Sequence, residues 1–209
     1  MIPGGGNIMN PLLSVRGSLI TGFVIAILFA VLGINNGANF HELGLARWLH
    51  IIAGITWIGL LYYFNAVQVP ALAAAAADKG GPGGAGVTKY VAPLALRWFR
   101  WSAVVTWVTG FWYLARAGAL GAFALGMAGP EFNAYQFVIG TGAWLGTIML
   151  FNVWVFIWPN QKKILGIVPA TDEQKASARK TALYASRINY VLSIPMLMCM
   201  AGAMHGLPF

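Results

Sequence analysis

Apolar stretches long enough to cross a bilayer recur along this chain, and between them lie too few charges to coat a water-facing surface. A membrane-crossing helix needs roughly 20 predominantly apolar residues. Stretches of this kind run over about residues 18–34, 46–69, 102–117, 135–158 and 188–204. Charged residues make up 9% of the chain, against about 25% in a soluble domain. The pattern predicts an all-α integral membrane bundle of five transmembrane helices, read as one domain over residues 1–209, with no internal repeat. It excludes a soluble enzyme and a disordered chain. It also excludes a nucleic-acid partner, despite the net charge of +8. The first stretch follows Arg16 as a signal peptide would. But Gly33-Ile34-Asn35-Asn36-Gly37 offers no small-x-small cleavage site, so a retained helix is expected.

The basic residues set the expected orientation. Eleven of the 13 Lys and Arg fall in the N-terminal segment and in the second and fourth connections. The other two, Arg47 and Arg116, fall in the first and third. By the positive-inside rule the N-terminus is cytoplasmic and the C-terminus periplasmic. The basic segment 162–187 is expected to meet anionic lipid or an acidic partner surface. Residues 78–86 read as a Gly-rich flexible linker. Thr171 followed by Asp172 and Glu173 reads as the start of a short cytoplasmic helix, 172–186, feeding the fifth span.

This orientation puts His41, His50 and His205 on the outer side. His50, Gly54, Trp57 and Leu61 recur at i, i+4, i+7 and i+11, which places them on one helical face. A histidine with a glycine one turn deeper suits a flat macrocycle. The imidazole reaches an iron and the missing side chain leaves room for the ring. His205, at the outer end of the fifth span, is the second candidate axial ligand. A b-type haem needs no covalent motif, and no CxxCH occurs in a chain with one Cys. The same residues also have a plain packing reading, with His50 bonded to a carbonyl and Gly54 as a helix-packing notch. His41 beside Glu42 reads as a solvated loop pair.

Copper is a second, less favoured cofactor. Met196, Met200 and Met204 recur at helical spacing, and soft ligands suit Cu(I). Cys199 is expected off the methionine face. Asn65, Gln68, Asn152 and Asn189 read as buried amides tying helices together, and Gly142-x-x-x-Gly146 as a close-packing face. No Asp or Glu lies in mid-span, which argues against a proton-coupled pump.

The run Arg47-Trp48-Leu49-His50-Ile51-Ile52-Ala53-Gly54-Ile55-Thr56-Trp57-Ile58-Gly59 and its continuation to Asn65 resemble the membrane domain of bacterial membrane-bound urate oxidases (urate hydroxylases). So do Arg97-Trp98-Phe99-Arg100-Trp101-Ser102-Ala103, Thr109-Gly110, Asn152-Val153-Trp154 and Pro159-Asn160-Gln161-Lys162. The resemblance spans about residues 43–205. The pattern of His50, Gly54, Trp57 and Gly59 is also similar to that of haem-binding membrane protoporphyrinogen oxidases and copper-resistance membrane proteins. In the urate oxidase family a membrane domain is typically fused to a C-terminal cytochrome c, so this chain reads as a short form without that domain.

The resemblance implies a multi-pass protein of the bacterial inner membrane that passes electrons to a cytochrome c. Two readings follow. One is a small redox protein holding haem b through His50 and His205, with Gly54 and Trp57 along the ring. The other is a non-catalytic accessory subunit of a larger respiratory or photosynthetic complex, with the Gly-rich segments at 4–6 and 80–86 held by a neighbour.

Overall fold

The computed structural model describes residues 10–208. The glycines at 4–6 lie outside the described residues. The chain forms two compact units, Met1–Glu42 and Leu43–Phe209. All regular structure among the described residues is helical.

The first unit is built on helix α1 (Val15–Asn35), 21 residues long. Ser14 caps it by accepting a hydrogen bond from the Gly17 N–H at 2.9 Å. Beyond Arg16 the helix has no charged residue, and its apolar side chains point in all directions. A helix apolar all round is suited to a lipid surrounding rather than to water.

The second unit holds α2 (Glu42–Tyr62), α3 (Val69–Ala77), α4 (Ala92–Arg116), α5 (Ala134–Phe151), α6 (Trp158–Ile164) and α7 (Asp172–His205). Wide π-type turns join α2 to α3 (Tyr63–Gln68) and α5 to α6 (Asn152–Ile157), and a third, Val87–Val91, leads into α4. Each has the same cause. Proline lacks an N–H, and its ring clashes with the carbonyl four residues back. Pro70, Pro93 and Pro159 each stand two residues past such a turn. The residue before each proline reaches back five positions instead of four. Val69 N–H donates to the Phe64 carbonyl, Ala92 to Val87 and Trp158 to Val153.

Four helical runs have the length and apolar content to cross a membrane: Val15–Asn35, Glu42–Ala77, Ala134–Ile164 and Asp172–His205. They carry four of the five stretches expected from sequence. Helix α4 carries the other and has the length, at 25 residues. Its apolar content is diluted by Arg97, Arg100 and the hydroxyls of Ser102, Thr106 and Thr109, and it is not among the four. The separate helix expected over 172–186 is instead the first half of α7, which runs unbroken for 34 residues. Its start is the expected one. Thr171 Oγ1 accepts from the Gln174 N–H at 3.3 Å while Gln174 Oε1 accepts from the Thr171 N–H at 3.0 Å.

The core draws Trp57, Leu61 and Phe64 onto Leu96 and Phe99 of α4 and Met149 and Val153 of the α5 run. Asn65, Asn152 and Asn189 cross-link it as expected, while Gln68 is half-buried with its Oε1 unpartnered. Asn152 Nδ2 donates to Asn189 Oδ1 at 2.8 Å, and Asn189 Nδ2 donates to the Met149 carbonyl at 2.9 Å. Asn65 Nδ2 donates to Ser186 Oγ at 2.9 Å. Gly142 lets α5 meet α7 closely, since a Cβ there would stand 3.1 Å from Cys199 Cβ. Gly146 is buried but has no neighbour within 4 Å of such a Cβ.

The helices also reveal an internal repeat that the sequence reading misses. Trp57-Ile58-Gly59 leading to Phe64-Asn65 recurs 87 residues later as Trp144-Leu145-Gly146 leading to Phe151-Asn152. Both copies end an α-helix, enter a π turn and meet a proline.

Asn189 is fully buried and holds two partners on the α5 run. Asn189→Ala should therefore lower the unfolding free energy by about 1 kcal/mol. Reversible unfolding in detergent micelles checks this. A change within about 0.3 kcal/mol, too small for a lost buried hydrogen bond, would show that these amides do not tie the helices.

Candidate functional site

Along α2, Arg47, His50, Gly54 and Trp57 make one stripe, and α4 lies against it. His50 Nδ1 stands 2.7 Å from the carbonyl oxygen of Thr106. A carbonyl can only accept, so Nδ1 carries the proton. In the neutral ring this leaves a lone pair on Nε2. No hydrogen bond to Nε2 is present among the described residues.

Gly110 makes this approach possible. A Cβ at Gly110 would stand 2.8 Å from His50 Cε1 and 2.9 Å from Nδ1, closer than side-chain atoms pack. The Thr106 side chain is turned back onto its own helix, with Oγ1 donating to the Ser102 carbonyl at 2.7 Å. Thr109 Oγ1 also donates to the Thr106 carbonyl, at 3.1 Å. Gly54 faces the Thr106 methyl at an ordinary 3.7 Å from where its Cβ would be.

One turn toward the start of α2, the Arg47 guanidinium donates to Tyr113 Oη at 3.2 Å and lies 5.2 Å from that ring's centre. On the other side of His50, Trp57 is 2% exposed. Its indole N–H is buried without a hydrogen-bond partner. An unmade hydrogen bond of this kind costs about 1–3 kcal/mol.

The structure thus brings His50, Gly54 and Trp57 onto one seam with α4. His205 is exposed in the last turn of α7, and no hydrogen bond joins it to His50. His41 lies in the first unit. Among the described residues no three of His, Cys, Asp and Glu come together as a metal-binding group. Cys199 is not off the methionine face. Cys199 Cβ and Met200 Cε both lie against Gly142, at 3.1 and 3.2 Å from its Cβ position, while Met204 is 61% exposed. Residues 196, 199 and 200 follow the i, i+3, i+4 spacing of one helical face.

Sequence reasoning missed the α4 half of the seam, Thr106, Gly110 and Tyr113. Its one available signal was Gly110, a glycine inside an aromatic-rich helix.

A multi-helix membrane protein with a histidine held ring-edge against a neighbouring helix is the class these features define. The family model described as urate oxidase N-terminal matches residues 38–120 and 119–209. The chain belongs to the urate oxidase N-terminal family. The first matched segment contains α2 to α4 with the whole His50 seam, and the second contains α5 to α7. No curated protein and no solved structure matches the chain.

The two seam glycines should respond differently to a methyl group. Gly110→Ala must displace the His50 ring and should cost about 1–3 kcal/mol of stability, the usual penalty for overpacking. Gly54→Ala meets only ordinary contact and should be close to neutral. Thermal unfolding of the two variants side by side measures the difference. Equal effects would show that His50 is not held against Gly110.

Proposed function

We propose that this chain is the membrane part of a urate oxidase-type redox system and holds one b-type haem through His50. The observation that carries the reading is the hydrogen bond from His50 Nδ1 to the Thr106 carbonyl. Metal-ligating histidines almost always donate their other ring N–H to a carbonyl or carboxylate, which fixes the tautomer and raises basicity. His50 has that arrangement, with Nε2 left as the donor atom. A haem bound there supplies one-electron chemistry at its iron. Thr106 and Gly110 hold the imidazole in orientation, and the unpartnered Trp57 N–H supplies a hydrogen-bond donor on the same helical face. Arg47, held by Tyr113, supplies a positive charge beside the site. His205 would be the second residue to hold the group in this reading, and Gly54 would leave room for it. Copper is the weaker fit, because Met196, Cys199 and Met200 pack around Gly142.

The topology in this reading is five spans with α4 as the third, the N-terminus cytoplasmic and the C-terminus periplasmic. The site then faces the side from which a cytochrome c takes electrons, in a bacterial inner membrane. With Cys199 replaced by serine, Pro208→Cys should react with an impermeant maleimide on intact cells and Lys175→Cys should not. The reverse pattern would turn the site toward the cytoplasm and remove the cytochrome c route.

An optical spectrum tests the cofactor. Protein expressed with a haem supply should show Soret and α bands on dithionite reduction. His50→Ala should abolish them while the protein stays in the membrane, and His205→Ala should convert a low-spin spectrum to high-spin. No haem in the wild type would overturn the reading in favour of an accessory subunit. Haem that survives His50→Ala would overturn the ligand assignment.

A further inference from the structure

We infer that α4 and α6 together form a binding site for the phosphate of an anionic phospholipid, centred on Arg100, Trp158 and Lys162. The Arg100 guanidinium carbon lies 3.4 Å from the centre of the Trp158 ring, at stacking distance. Lys162 Nζ lies 5.8 Å from the same ring centre. Two cations from different helices therefore share one indole and lie within about 9 Å of each other. Arg97 lies three residues before Arg100 on α4, and Lys163 follows Lys162 on α6.

Like charges gathered this way repel unless an anion joins them. None of these four has a carboxylate partner among the described residues. The chain has only five acidic residues, and the ion pair formed by Lys175 uses Asp172. The geometry also suits an oxyanion. A guanidinium held over an indole face keeps N–H donors free at its edge, and such a fork can take two oxygens of an anion. Trp158 is half-buried near the end of the Ala134–Ile164 run, and Trp98 and Trp101 are 52% and 57% exposed beside Arg100. Tryptophan collects at the headgroup level of a membrane, so the guanidinium is held at the depth where phosphates lie. This site is independent of the haem proposal and is formed by other residues.

The test uses the full chain in nanodiscs of phosphatidylcholine with or without phosphatidylglycerol, and counts lipids retained after transfer to mild detergent. Wild type should retain phosphatidylglycerol over phosphatidylcholine by at least tenfold. Arg100→Gln and Lys162→Gln should each reduce the preference roughly fivefold, the weight of one basic residue at a charged membrane. Arg100→Lys keeps the charge but loses the fork and the stack, and should still reduce it. Trp158→Leu should do the same with every charge in place, and Trp158→Phe should restore part of the loss. Lys79→Gln, in the connection between α3 and α4, should have no effect. Absence of preference in the wild type, or an equal loss in Lys79→Gln, would overturn the site. So would a polyglutamate peptide binding the cluster without competition from phosphatidylglycerol, since that marks an acidic protein partner.

Discussion

Hydrocarbon offers no hydrogen-bond partner, so every polar group carried into it must find one within the protein. Much of this structure follows from that requirement. The hydroxyls inside the helices turn back on their own backbones. Ser102 donates to the Trp98 carbonyl, Thr106 to Ser102, Thr109 to Val105 and Thr147 to Ala143, each near 2.7–2.8 Å. Before Pro70, Pro93 and Pro159 the helix widens by one residue and keeps its hydrogen bonding through the bond to the fifth carbonyl back, whereas Pro195 stands inside α7 without such a turn. Amides that cannot reach their own helix reach the next, as Asn152 and Asn189 do. The polar residues thus fasten helices that lipid would otherwise leave with little reason to associate.

Against this background the exceptions carry information. Among the described residues the buried side-chain atoms without a partner are Trp57 Nε1, Asn65 Oδ1, Gln68 Oε1 and Trp154 Nε1. Three of the four lie on the α2 run. His50 is the complementary case, with one ring nitrogen spent on the Thr106 carbonyl and the other left over. Of the unpartnered atoms, that of Trp57 lies on the seam with His50, while Asn65 and Gln68 stand in the π turn, about 22 Å or more beyond His50 at 1.5 Å per residue. The unpartnered Trp57 N–H together with the free His50 Nε2 makes this seam the place to look for a ligand.

The sequence made the class of structure legible because membrane helices announce themselves in one dimension, by length and by charge. The capping box at Thr171 and the bridging amides were equally local signals. The partners of His50 were not. Thr106 is 56 residues away from His50, and nothing in the periodicity of α2 says which helix will lie against it. The plain reading of His50 as a carbonyl-bonded residue and the ligand reading of the same residue also turn out to be compatible, because the ring has two nitrogens. Cys199 was misplaced because the face was counted on the methionines at four-residue steps. A helix turns in 3.6 residues, so the i+3 position shares that face too. The repeat escaped notice because only tryptophan, glycine, phenylalanine and asparagine recur, and the π turn and proline that follow stand two residues later in the second copy.

The repeat then serves as an internal control for the site. At the 87-residue spacing, the position equivalent to His50 is Phe137, that of Gly54 is Thr141 and that of Arg47 is Ala134. Phe137 is 45% exposed, an apolar side chain of the kind a lipid-facing surface carries. The two tryptophans diverge in the same sense. Trp144 is 44% exposed and its indole N–H donates to the Phe123 carbonyl at 3.0 Å. Trp57 is buried and its N–H has no partner. If these features served only to pack a helix with a π turn, both copies could have kept the same satisfied chemistry. The second copy packs with its hydrogen bond made and without histidine, arginine or the paired glycine. A buried indole N–H without a partner occurs on both runs, at Trp57 and at Trp154, so what the shared packing does not account for is the histidine with a free Nε2 lone pair, and the arginine beside it, on the face of Trp57.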